Sequence, residues 1–291
     1  MRIYYWLILL FSFLATDTLA QPQPGKKNRQ SPVLRVMSYN IRLATTRDSI
    51  NYWPNRKDRV AGLIRYHHPD LLGVQEALPV QIADLDGTLT AYSRYGVGRE
   101  DGQQKGEFSA IYFRKDRFKL LDSGTFWLSP EPQKPGSIGW DAAITRICTW
   151  VKLRDLNSRE VIYYFNTHFD HRGKVAREKS AGLILQQIRE IAGQAPVILT
   201  GDLNVPPSSS AYHTLVTNSG LQDARQISQY PPYGPAGTFS GFRVDRPMGQ
   251  RIDYILVNKP VRVLQHAVLT DQQDGYYPSD HLPVVAELQL P

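Results

Sequence analysis

The fold is first indicated by one stretch, Val33-Leu34-Arg35-Val36-Met37-Ser38-Tyr39-Asn40-Ile41-Arg42. Its residues alternate in character and are β-branched at intervals up to Tyr39, and the polar amide of Asn40 follows. This pattern predicts a β-strand over residues 33–39 that ends at Asn40. A strand end is a place where a rigid sheet can present a side chain to a cavity. Asn40 is therefore a candidate functional residue, although an asparagine at a strand end is often only a turn former.

Four more polar clusters lie at the ends of apolar, strand-like runs farther along the chain. They are Gln75-Glu76-Ala77, Asn166-Thr167-His168, Gly201-Asp202-Leu203-Asn204 and Ser279-Asp280-His281. With Asn40 they supply hard oxygen ligands of the kind that Mg²⁺ and Ca²⁺ prefer, together with imidazoles for proton transfer. Complementary chemistry at five strand ends is better explained by a shared site than by packing.

The sequence between these clusters predicts amphipathic helices and further strands, separated by turn-forming residues. The predicted helices cover residues 55–68, 175–192 and 208–215, and the further strands cover 70–74, 108–113, 118–127, 147–153, 161–166, 196–200, 252–257, 261–269 and 282–288. Strand–helix–strand units alternate with runs of consecutive strands, so both parallel and antiparallel pairing are expected. Segments 127–145 and 228–250, rich in proline, glycine and aromatic residues, are expected to form loops at the rim of the site.

The first residues have the pattern of a secretory signal peptide. Met1-Arg2 is followed by an apolar run over residues 3–15 and by small residues at Thr18-Leu19-Ala20. We expect residues 1–20 to be a signal peptide and 21–32 a flexible leader, with an uncleaved membrane anchor as the alternative. Residues 33–291 are expected to form one domain, because the clusters must converge to be useful. The protein is expected to be exported, to the periplasm or the medium.

Composition narrows the class of protein further. Lys and Arg number 34 against 27 Asp and Glu, a formal charge of +7 that suits polyanionic substrates or anionic membranes. The single cysteine, Cys148, cannot form an internal disulfide and is expected to be a small apolar strand residue. Nothing in the sequence calls for an obligate protein partner, and a monomer is expected.

Glu76, Asp202 and Asn204 have types and positions that suit hydrolysis. A carboxylate at the end of an apolar strand is costly unless a cation or a donor meets it, so Glu76 is a candidate metal ligand, with a salt bridge as the alternative. Asp202 could orient or deprotonate an attacking water, and Asn204 could hold a negative oxygen. An Asp-Asn turn after a strand is the alternative for that pair.

The histidines and their acidic neighbours form the second chemical group. Asp280 offers a carboxylate ligand next to the imidazole of His281, and Asp253 enters a strand where it could fix the tautomer of a histidine. His168, at a strand end and followed by Phe169-Asp170-His171, is expected to be an exposed catalytic imidazole rather than a core residue.

These motifs, in this order and at these separations, resemble the endonuclease/exonuclease/phosphatase superfamily. It includes deoxyribonucleases, apurinic-site repair nucleases, sphingomyelinases, inositol-polyphosphate phosphatases and poly(A) deadenylases. The resemblance extends over residues 33–290. The segments Gly124-Thr125-Phe126-Trp127-Leu128-Ser129, Gly139-Trp140-Asp141-Ala142 and Arg146-Ile147-Cys148-Thr149-Trp150 further resemble a bacterial branch. The implied fold is an α/β four-layer sandwich of two packed mixed β-sheets flanked by helices, with the site at one edge.

The resemblance also implies roles for individual residues. On the metal side, Glu76 is the principal Mg²⁺ ligand, Asn40 and Asp280 complete the site, and Mn²⁺ or Ca²⁺ are alternative ions. Asp202 and Asn204 position the nucleophile and stabilise the transition state. The implied histidine roles are contact with the scissile phosphate or proton transfer for His281, braced by Asp253, and a second catalytic imidazole for His168.

Three further positions follow from the same resemblance. Glu107 corresponds to a carboxylate partner of His168, and Arg146 to an arginine that contacts phosphate. Repair nucleases carry an acid two residues after the asparagine of the first strand, where this chain has Arg42. That departure suggests a basic, substrate-binding group near the phosphate.

The predicted function is that of a secreted, divalent-metal-dependent phosphoesterase that hydrolyses phosphodiesters by direct attack of water. A nuclease is the first expectation, so nucleic acid is the expected phosphate-ester partner. A phosphodiesterase or phosphatase acting on phospholipid head groups, inositol phosphates or sugar phosphates is the alternative. A binding module without catalysis is the alternative from another class of protein.

Overall fold

The alternating segments form strands in the computed structural model, which describes residues 32–217 and 220–291 together with Met1 and Ile3. The strands are β1 Val33–Asn40, β2 Leu71–Ala77, β3 Tyr92–Tyr95, β4 Phe108–Arg114, β5 Phe118–Trp127, β6 Ile147–Asp155, β7 Val161–His168, β8 Val197–Asp202, β9 Leu221–Asp223, β10 Asp253–Asn258, β11 Arg262–Val268 and β12 Val284–Gln289. The helices are α1 Trp53–His67, α2 Pro79–Thr88, α3 Lys174–Ala192, α4 Ser210–Val216 and α5 Ala224–Ile227, with a 3₁₀ helix over Thr46–Asn51.

The strands form two six-stranded sheets, ordered β11-β12-β1-β2-β4-β3 and β5-β6-β7-β8-β10-β9. Each sheet contains one parallel pair, β1 with β2 and β7 with β8, joined through α1 and α3 respectively. The other neighbours pair antiparallel. The prediction of mixed sheets is therefore confirmed.

Three apolar clusters show that the layers are stacked helix, sheet, sheet, helix. One cluster lies between the two sheets and includes Val36, Leu71, Tyr164 and Ile198. A second packs α3 and α4 on the outer face of the second sheet, and a third packs α1 and α2 on the outer face of the first. The predicted four-layer sandwich is confirmed, and its main core is the space between the sheets.

The sequence analysis missed short elements whose signals were weak. Helix α2 begins at Pro79 and buries Ile82 and Leu85, a spacing too short to stand out in the sequence. The strand β3 has only four residues. The rim segments 127–145 and 228–250 contain no long regular element in the structure, as expected.

The predicted signal peptide and most of the predicted leader lie outside the described residues, so both stay predictions. Within the described part of the chain, no helix combines the length and the apolar character needed to cross a bilayer.

Side chains of the inter-sheet core change from apolar to polar toward one edge of the sandwich. Because every second residue of a strand faces the same side, the inward rows can be followed along each strand. These rows are Leu34-Val36-Ser38-Asn40, Ile162-Tyr164-Asn166-His168, Ile198-Thr200-Asp202 and, in the reverse direction, Val257-Ile255-Asp253. Asn40, His168 and Asp202, from three of the polar clusters, are thus the outer ends of rows that begin in the core.

A buried amide fixes the two sheets to each other just beneath this edge. Asn166 of the second sheet donates through Nδ2 to the carbonyl oxygens of Val74, at 2.9 Å, and Ala110, at 3.0 Å, in the first sheet. Its Oδ1 accepts from Gln75 Nε2 at 2.6 Å. The close approach requires glycine at position 73, where a Cβ would lie 2.5 Å from Asn166 Oδ1. The sheets are therefore held at one spacing where the site begins.

An arginine connects the sheets at the opposite edge. Arg117, in the turn between β4 and β5, lies 2.7 Å from Asp70 and 3.1 Å from Asp155. Asp70 directly precedes β2 of the first sheet, and Asp155 ends β6 of the second. All three side chains are buried. This ion-paired arginine lies at the far end of the sandwich from the polar clusters, since Asp70 precedes β2 and Glu76 lies near its end.

Stability is expected to depend on pH through His266, a buried residue of β11. Burial lowers the pKa of His266 to about 4, whereas an unfolded histidine has a pKa of about 6.5. The unfolded chain therefore takes up a proton before the folded one as the pH falls. The free energy of unfolding should drop by about 3 kcal/mol between about pH 6.5 and pH 4 from this residue. Urea unfolding of wild type and His266→Gln across that range checks this, and equal slopes would contradict it.

Candidate active site

The polar clusters meet at one edge because of strand direction. The carboxyl ends of the parallel strands β1, β2, β7 and β8 carry Asn40, Glu76, His168 and Asp202. Antiparallel pairing places Asp253, the first residue of β10, directly opposite Asp202. The segment before β12 brings Asp280 and His281 to the same edge.

Glu76 reaches this edge through an irregularity in β2. Simple alternation would turn Glu76 outward with Leu72 and Val74, which pack toward the helices. A register shift between Val74 and Ala77 and a φ of 64° at Glu76 change its direction. Positive φ is uncommon outside glycine, and such strain concentrates at functional sites. The carboxylate accepts from Asn40 Nδ2 at 2.9 Å and from the Leu43 N–H at 3.0 Å.

The ionisation of Glu76 follows from its neighbours. Burial by itself raises the pKa, but the charge of His281 and the hydrogen bonds from Asn40 and Leu43 outweigh it and leave the pKa below its usual value. Glu76 is therefore a carboxylate, although it is buried.

Asn40 joins the two halves of the site. Its Nδ2 also donates to Asp202 Oδ2 at 3.0 Å, so one amide connects a carboxylate of each sheet. Its Oδ1 accepts from the Arg42 N–H at 2.9 Å. In this arrangement the nitrogen of Asn40, and not its oxygen, faces the carboxylates, so ligation of a metal through Oδ1 would require the amide to rotate.

Arg42 and Asp280 complete the side of the site next to Glu76. The Arg42 guanidinium binds Asp48 through two hydrogen bonds, of 2.9 and 3.0 Å. It also lies 3.9 Å from Glu76 and 3.8 Å from Asp280. Burial, together with the nearby charge of Glu76, raises the pKa of Asp280. Asp48 accepts from Nε and from one N–H of Nη2, so the two N–H groups of Nη1 and one of Nη2 are left for a substrate.

The histidine side is built around Asp253 and His281. His281 Nδ1 lies 2.9 Å from Asp253 Oδ2, and its Nε2 lies 3.8 Å from Asp202 Oδ2. Burial opposes protonation, but Asp253 and Asp202 raise the pKa of His281 well above its usual value. Burial and the charge of Asp253 also raise the pKa of Asp202, to about 7. The site therefore holds an imidazolium next to a carboxylate that can take up a proton near neutral pH.

His168 differs from His281 in both environment and charge. It is buried, not exposed as the sequence suggested, and it shares a small pocket with Arg99, Glu107 and Arg146. Its Nε2 lies 3.4 Å from Asp202 Oδ2 and 3.0 Å from Asn204 Nδ2. Burial and the nearby Arg146 charge lower the pKa of His168 well below its usual value, so this imidazole is neutral.

The turn after β8 places Asn204 beside His168. Its φ is 52°, and its N–H donates to Asp202 Oδ1 at 2.9 Å. The preceding glycine allows β8 to lie against β7, since a Cβ at Gly201 would be 2.4 Å from the carbonyl oxygen of Thr167. Asp202 and Asn204 are thus fixed by the backbone as one unit.

Glu107 is close to His168 but is not hydrogen-bonded to it, which differs from the expected pairing. Both carboxylate oxygens of Glu107 accept from Arg99, at 2.7 and 2.8 Å. No sequence pattern pointed to Arg99, because its loop is not part of a strand. Glu107 and His168 nevertheless line the same cavity.

Arg146 supplies buried hydrogen-bond donors to that cavity. It is 4% exposed, and its Nη2 lies 3.1 Å from Nδ1 of His171. Its Nε and Nη1 have no hydrogen-bond partner among residues 32–217 and 220–291. Unpartnered buried donors are costly, so they fit a ligand that brings acceptor oxygens.

The site is a cavity of about 430 Å³. It is lined by Arg42, Leu43, Glu76, Glu107, Ile144, Arg146, His168, His171, Asp202, Asn204, Phe239, Ile252, Asp280 and His281. The sequence analysis did not propose His171 or Phe239. His171 is three residues after His168, which was the available signal, whereas Phe239 comes from an irregular rim loop and stacks edge-on against His281 at 5.1 Å.

The residues present fit a divalent cation. Glu76, His168 and Asp202 offer ligand atoms that all lie within 4.8 Å of one another. Four buried acids, Glu76, Asp202, Asp253 and Asp280, converge on the site, and buried carboxylates need compensating positive charge. Hard oxygen donors in this number are the type of ligand that Mg²⁺ uses.

Fold and site together are those of a phosphoester hydrolase. A family model described as Endonuclease/Exonuclease/phosphatase family matches residues 37–281. The chain belongs to this family, as its motifs suggested.

Solved structures of similar proteins cover nearly all of the described chain. An endonuclease/exonuclease/phosphatase family protein from Bacteroides thetaiotaomicron is 38% identical with a TM-score of 0.87, covering 90% of this chain and 99% of that one. A mannosyl-6-phosphatase from B. thetaiotaomicron VPI-5482 is 39% identical with a TM-score of 0.83, covering 88% of this chain and 99% of that one.

Curated relatives are less similar to this chain than these structures. Tyrosyl-DNA phosphodiesterase 2 of Danio rerio is 25% identical over 194 residues, which are 65% of this chain and 46% of that protein. The chain spans 37% to 67% of the length of the curated relatives that it matches.

Proposed function

We propose that this protein is a divalent-metal-dependent phosphatase that hydrolyses small phosphorylated sugars. The observation that carries the proposal is the size of the site, a cavity of about 430 Å³ with its acids, histidines and Arg146 around one space. That volume suits a small molecule. The 39% identity to a mannosyl-6-phosphatase supports the same substrate class.

Glu76, Asp280 and, after rotation of its amide, Asn40 would hold the cation. A bound divalent ion would neutralise charge on the phosphoryl and leaving oxygens. The hydrogen bonds that fix the Glu76 carboxylate, from the side chain of Asn40 and from the backbone of Leu43, support this role.

The other side of the cavity would orient the phosphate and handle protons. Asp202, with its pKa raised to about 7, is suited to accept a proton from the attacking water. His281 carries a positive charge, and its Nε2 side is available to a phosphoryl oxygen because Nδ1 binds Asp253. Arg146 offers more donors to the phosphate: Nη1 has no hydrogen-bond partner among the described residues, and Nε has only the ion pair with Asp170 at 3.6 Å.

A panel assay of the purified protein tests the proposal. We expect hydrolysis of mannose 6-phosphate in Mg²⁺ or Mn²⁺ that is lost in excess chelator and restored by fresh metal. Plasmid DNA, RNA, bis-p-nitrophenyl phosphate, sphingomyelin and inositol phosphates complete the panel. Full activity in chelator would contradict the metal requirement, and hydrolysis of another substrate with none of the sugar phosphate would contradict the substrate class.

A nuclease is the second candidate function. It is favoured by the net charge of +7 and by the similarity to tyrosyl-DNA phosphodiesterase 2. Several phosphates of a nucleic acid would have to be neutralised by lysines and arginines distributed over the surface, beyond the cavity.

Salt dependence separates the two candidates. A small sugar phosphate meets only the cavity, so its KM should change little with salt. Binding of duplex DNA weakens by about 0.9 log units per phosphate contact for each log unit of salt. We therefore expect a shallow slope when KM is measured at low and moderate salt. A steep slope, with cleavage of DNA at low salt, would favour the nuclease.

A further inference from the structure

Arg56 of α1 is a buried cation that binds only backbone carbonyl oxygens. Its Nε donates to the Asn51 oxygen at 2.8 Å, and its Nη2 donates to the Arg42 oxygen at 2.7 Å. Its Nη1 donates to the oxygens of Ile41 and of Pro278, the latter at 3.2 Å. The side chain has no exposed surface, and no acid lies within ion-pair distance of it in the described part of the chain.

These carbonyls belong to three segments that lie next to Asn40, Asp48 and Asp280. Residues 41 and 42 directly follow Asn40, and Pro278 lies two residues before Asp280. Asn51 ends the 3₁₀ helix in which Asp48 binds the Arg42 side chain. One guanidinium thus connects the backbones that carry three of the polar side chains of the site.

The surroundings of Arg56 hold the guanidinium in one place. The faces of Trp53 and Phe242 lie 5.0 and 5.6 Å from its central carbon, close enough for a favourable cation–π contact. Burial lowers the pKa of Arg56 to about 10, yet it stays charged at neutral pH. A buried charge without an acidic partner is costly. Packing alone therefore does not explain why a charged residue occupies this position.

We propose that Arg56 is a positioning residue that sets the separation of Asn40 and Asp280 and thereby the affinity for the metal. This role rests on the proposed metal-dependent function. Arg56 does not line the cavity and would touch neither metal nor substrate. It acts through the backbone of the residues that do.

Replacement by lysine separates positioning from charge. Arg56→Lys keeps the positive charge. The planar guanidinium of arginine reaches carbonyl oxygens in several directions at once, whereas the single ammonium of lysine cannot. The segments should loosen relative to each other. Loss of groups that orient metal ligands typically costs 10-fold to 100-fold in metal affinity or activity, so we expect Mn²⁺ to bind at least about tenfold more weakly, with a lower kcat.

Arg117 provides the matched control. It is also a buried arginine that connects separate segments, but it lies at the opposite edge and binds Asp70 and Asp155. Arg117→Lys should lower the melting temperature while leaving the Mn²⁺ affinity and kcat within about twofold of wild type. A general loss of packing would weaken Mn²⁺ binding in both variants alike. Loss of positioning would weaken it only in Arg56→Lys.

The experiment is a Mn²⁺ titration followed by electron paramagnetic resonance, with melting temperatures and kcat for each variant. Equal affinity in Arg56→Lys and wild type, or an equal loss in Arg117→Lys, would overturn the positioning role. If Arg56→Lys does not fold, Phe242→Leu removes one ring face, and unchanged affinity in that variant would overturn it too. Failure of wild type to bind Mn²⁺ or hydrolyse any phosphoester would instead overturn the proposed function, and the positioning role with it.

Discussion

Replacing Glu76 by glutamine is expected to lower kcat by at least about a thousandfold without loss of the fold. Groups of a catalytic site act as a unit, so removal of one costs several orders of magnitude. The substitution removes the fixed negative charge that would hold the cation. Glutamine still has an oxygen that can accept from Asn40 or from the Leu43 N–H, which now bind the carboxylate.

The same substitution should lower the stability of the protein without metal. The pKa of Glu76 is below its usual value, so the folded protein favours the charged carboxylate through His281, Asn40 and Leu43, and by linkage that charge stabilises the fold. Repulsion from Asp280, whose pKa the charge of Glu76 raises, offsets only part of this. Steady-state kinetics in Mg²⁺ and urea unfolding in chelator measure the two effects.

Glu287→Gln is the control for charge removal in the same sheet. Glu287 lies in β12 and pairs with Arg35 at 2.7 Å on a partly exposed surface. Its replacement should leave kcat unchanged. Near wild-type turnover in Glu76→Gln, or an equal loss in Glu287→Gln, would contradict the role of Glu76.

Replacing His281 by asparagine is expected to lower kcat by about 10²-fold to 10⁴-fold, the scale of a positioned acid or base. The new amide would keep a donor toward Asp253, but the positive charge next to Asp202 would be lost. His168→Asn should also reduce kcat, for a different reason, because His168 is neutral and contacts Asn204.

A histidine with a similar acidic partner outside the site provides the comparison. His67 Nε2 lies 2.9 Å from Asp271 Oδ1 at the end of α1, away from the cavity. His67→Asn should leave kcat unchanged. The measurement is turnover of the best substrate from the panel, and full turnover in His281→Asn would rule out a catalytic imidazolium.

The convergence of the polar clusters could be predicted from the sequence where a simple rule applied. Parallel strands deliver their carboxyl ends to the same edge, so Asn40, His168 and Asp202 could be expected to converge. In β1, β7 and β8 the two-residue alternation of inward-facing side chains continues without interruption from the core to the edge. The fold class and the family followed from the same ordered clusters.

Other features could not be predicted because they depend on local exceptions. The direction of Glu76 depends on a register shift in β2, which its apolar sequence does not show. The partner of Glu107 is Arg99, from a loop whose path no periodicity fixes. Burial of His168 depends on residues distant in the sequence, such as Arg99 and Arg146. The charge states of the two histidines depend on their neighbours, which are cationic around His168 and acidic around His281.

Substrate identity was the least accessible property. The net charge of +7 favoured nucleic acid. Composition gives the number of charges but not their positions, so this expectation did not depend on the site itself. The cavity volume and the buried donors of Arg146 concern only a few residues, drawn from distant parts of the chain. They support a small phosphate ester, and for this reason we propose a sugar phosphate before a nucleic acid.

The placement of β12 has a consequence for biosynthesis. This strand lies between β11 and β1, with Val33 opposite Gln289, so the first of the twelve described strands pairs with the strand that is translated after the other eleven. Contacts so distant along the chain make folding slow. Asp280 and His281 take their places only when that strand inserts. A ribosome-bound chain that lacks these residues should therefore be inactive, and hydrolysis should begin only after the last strand has emerged.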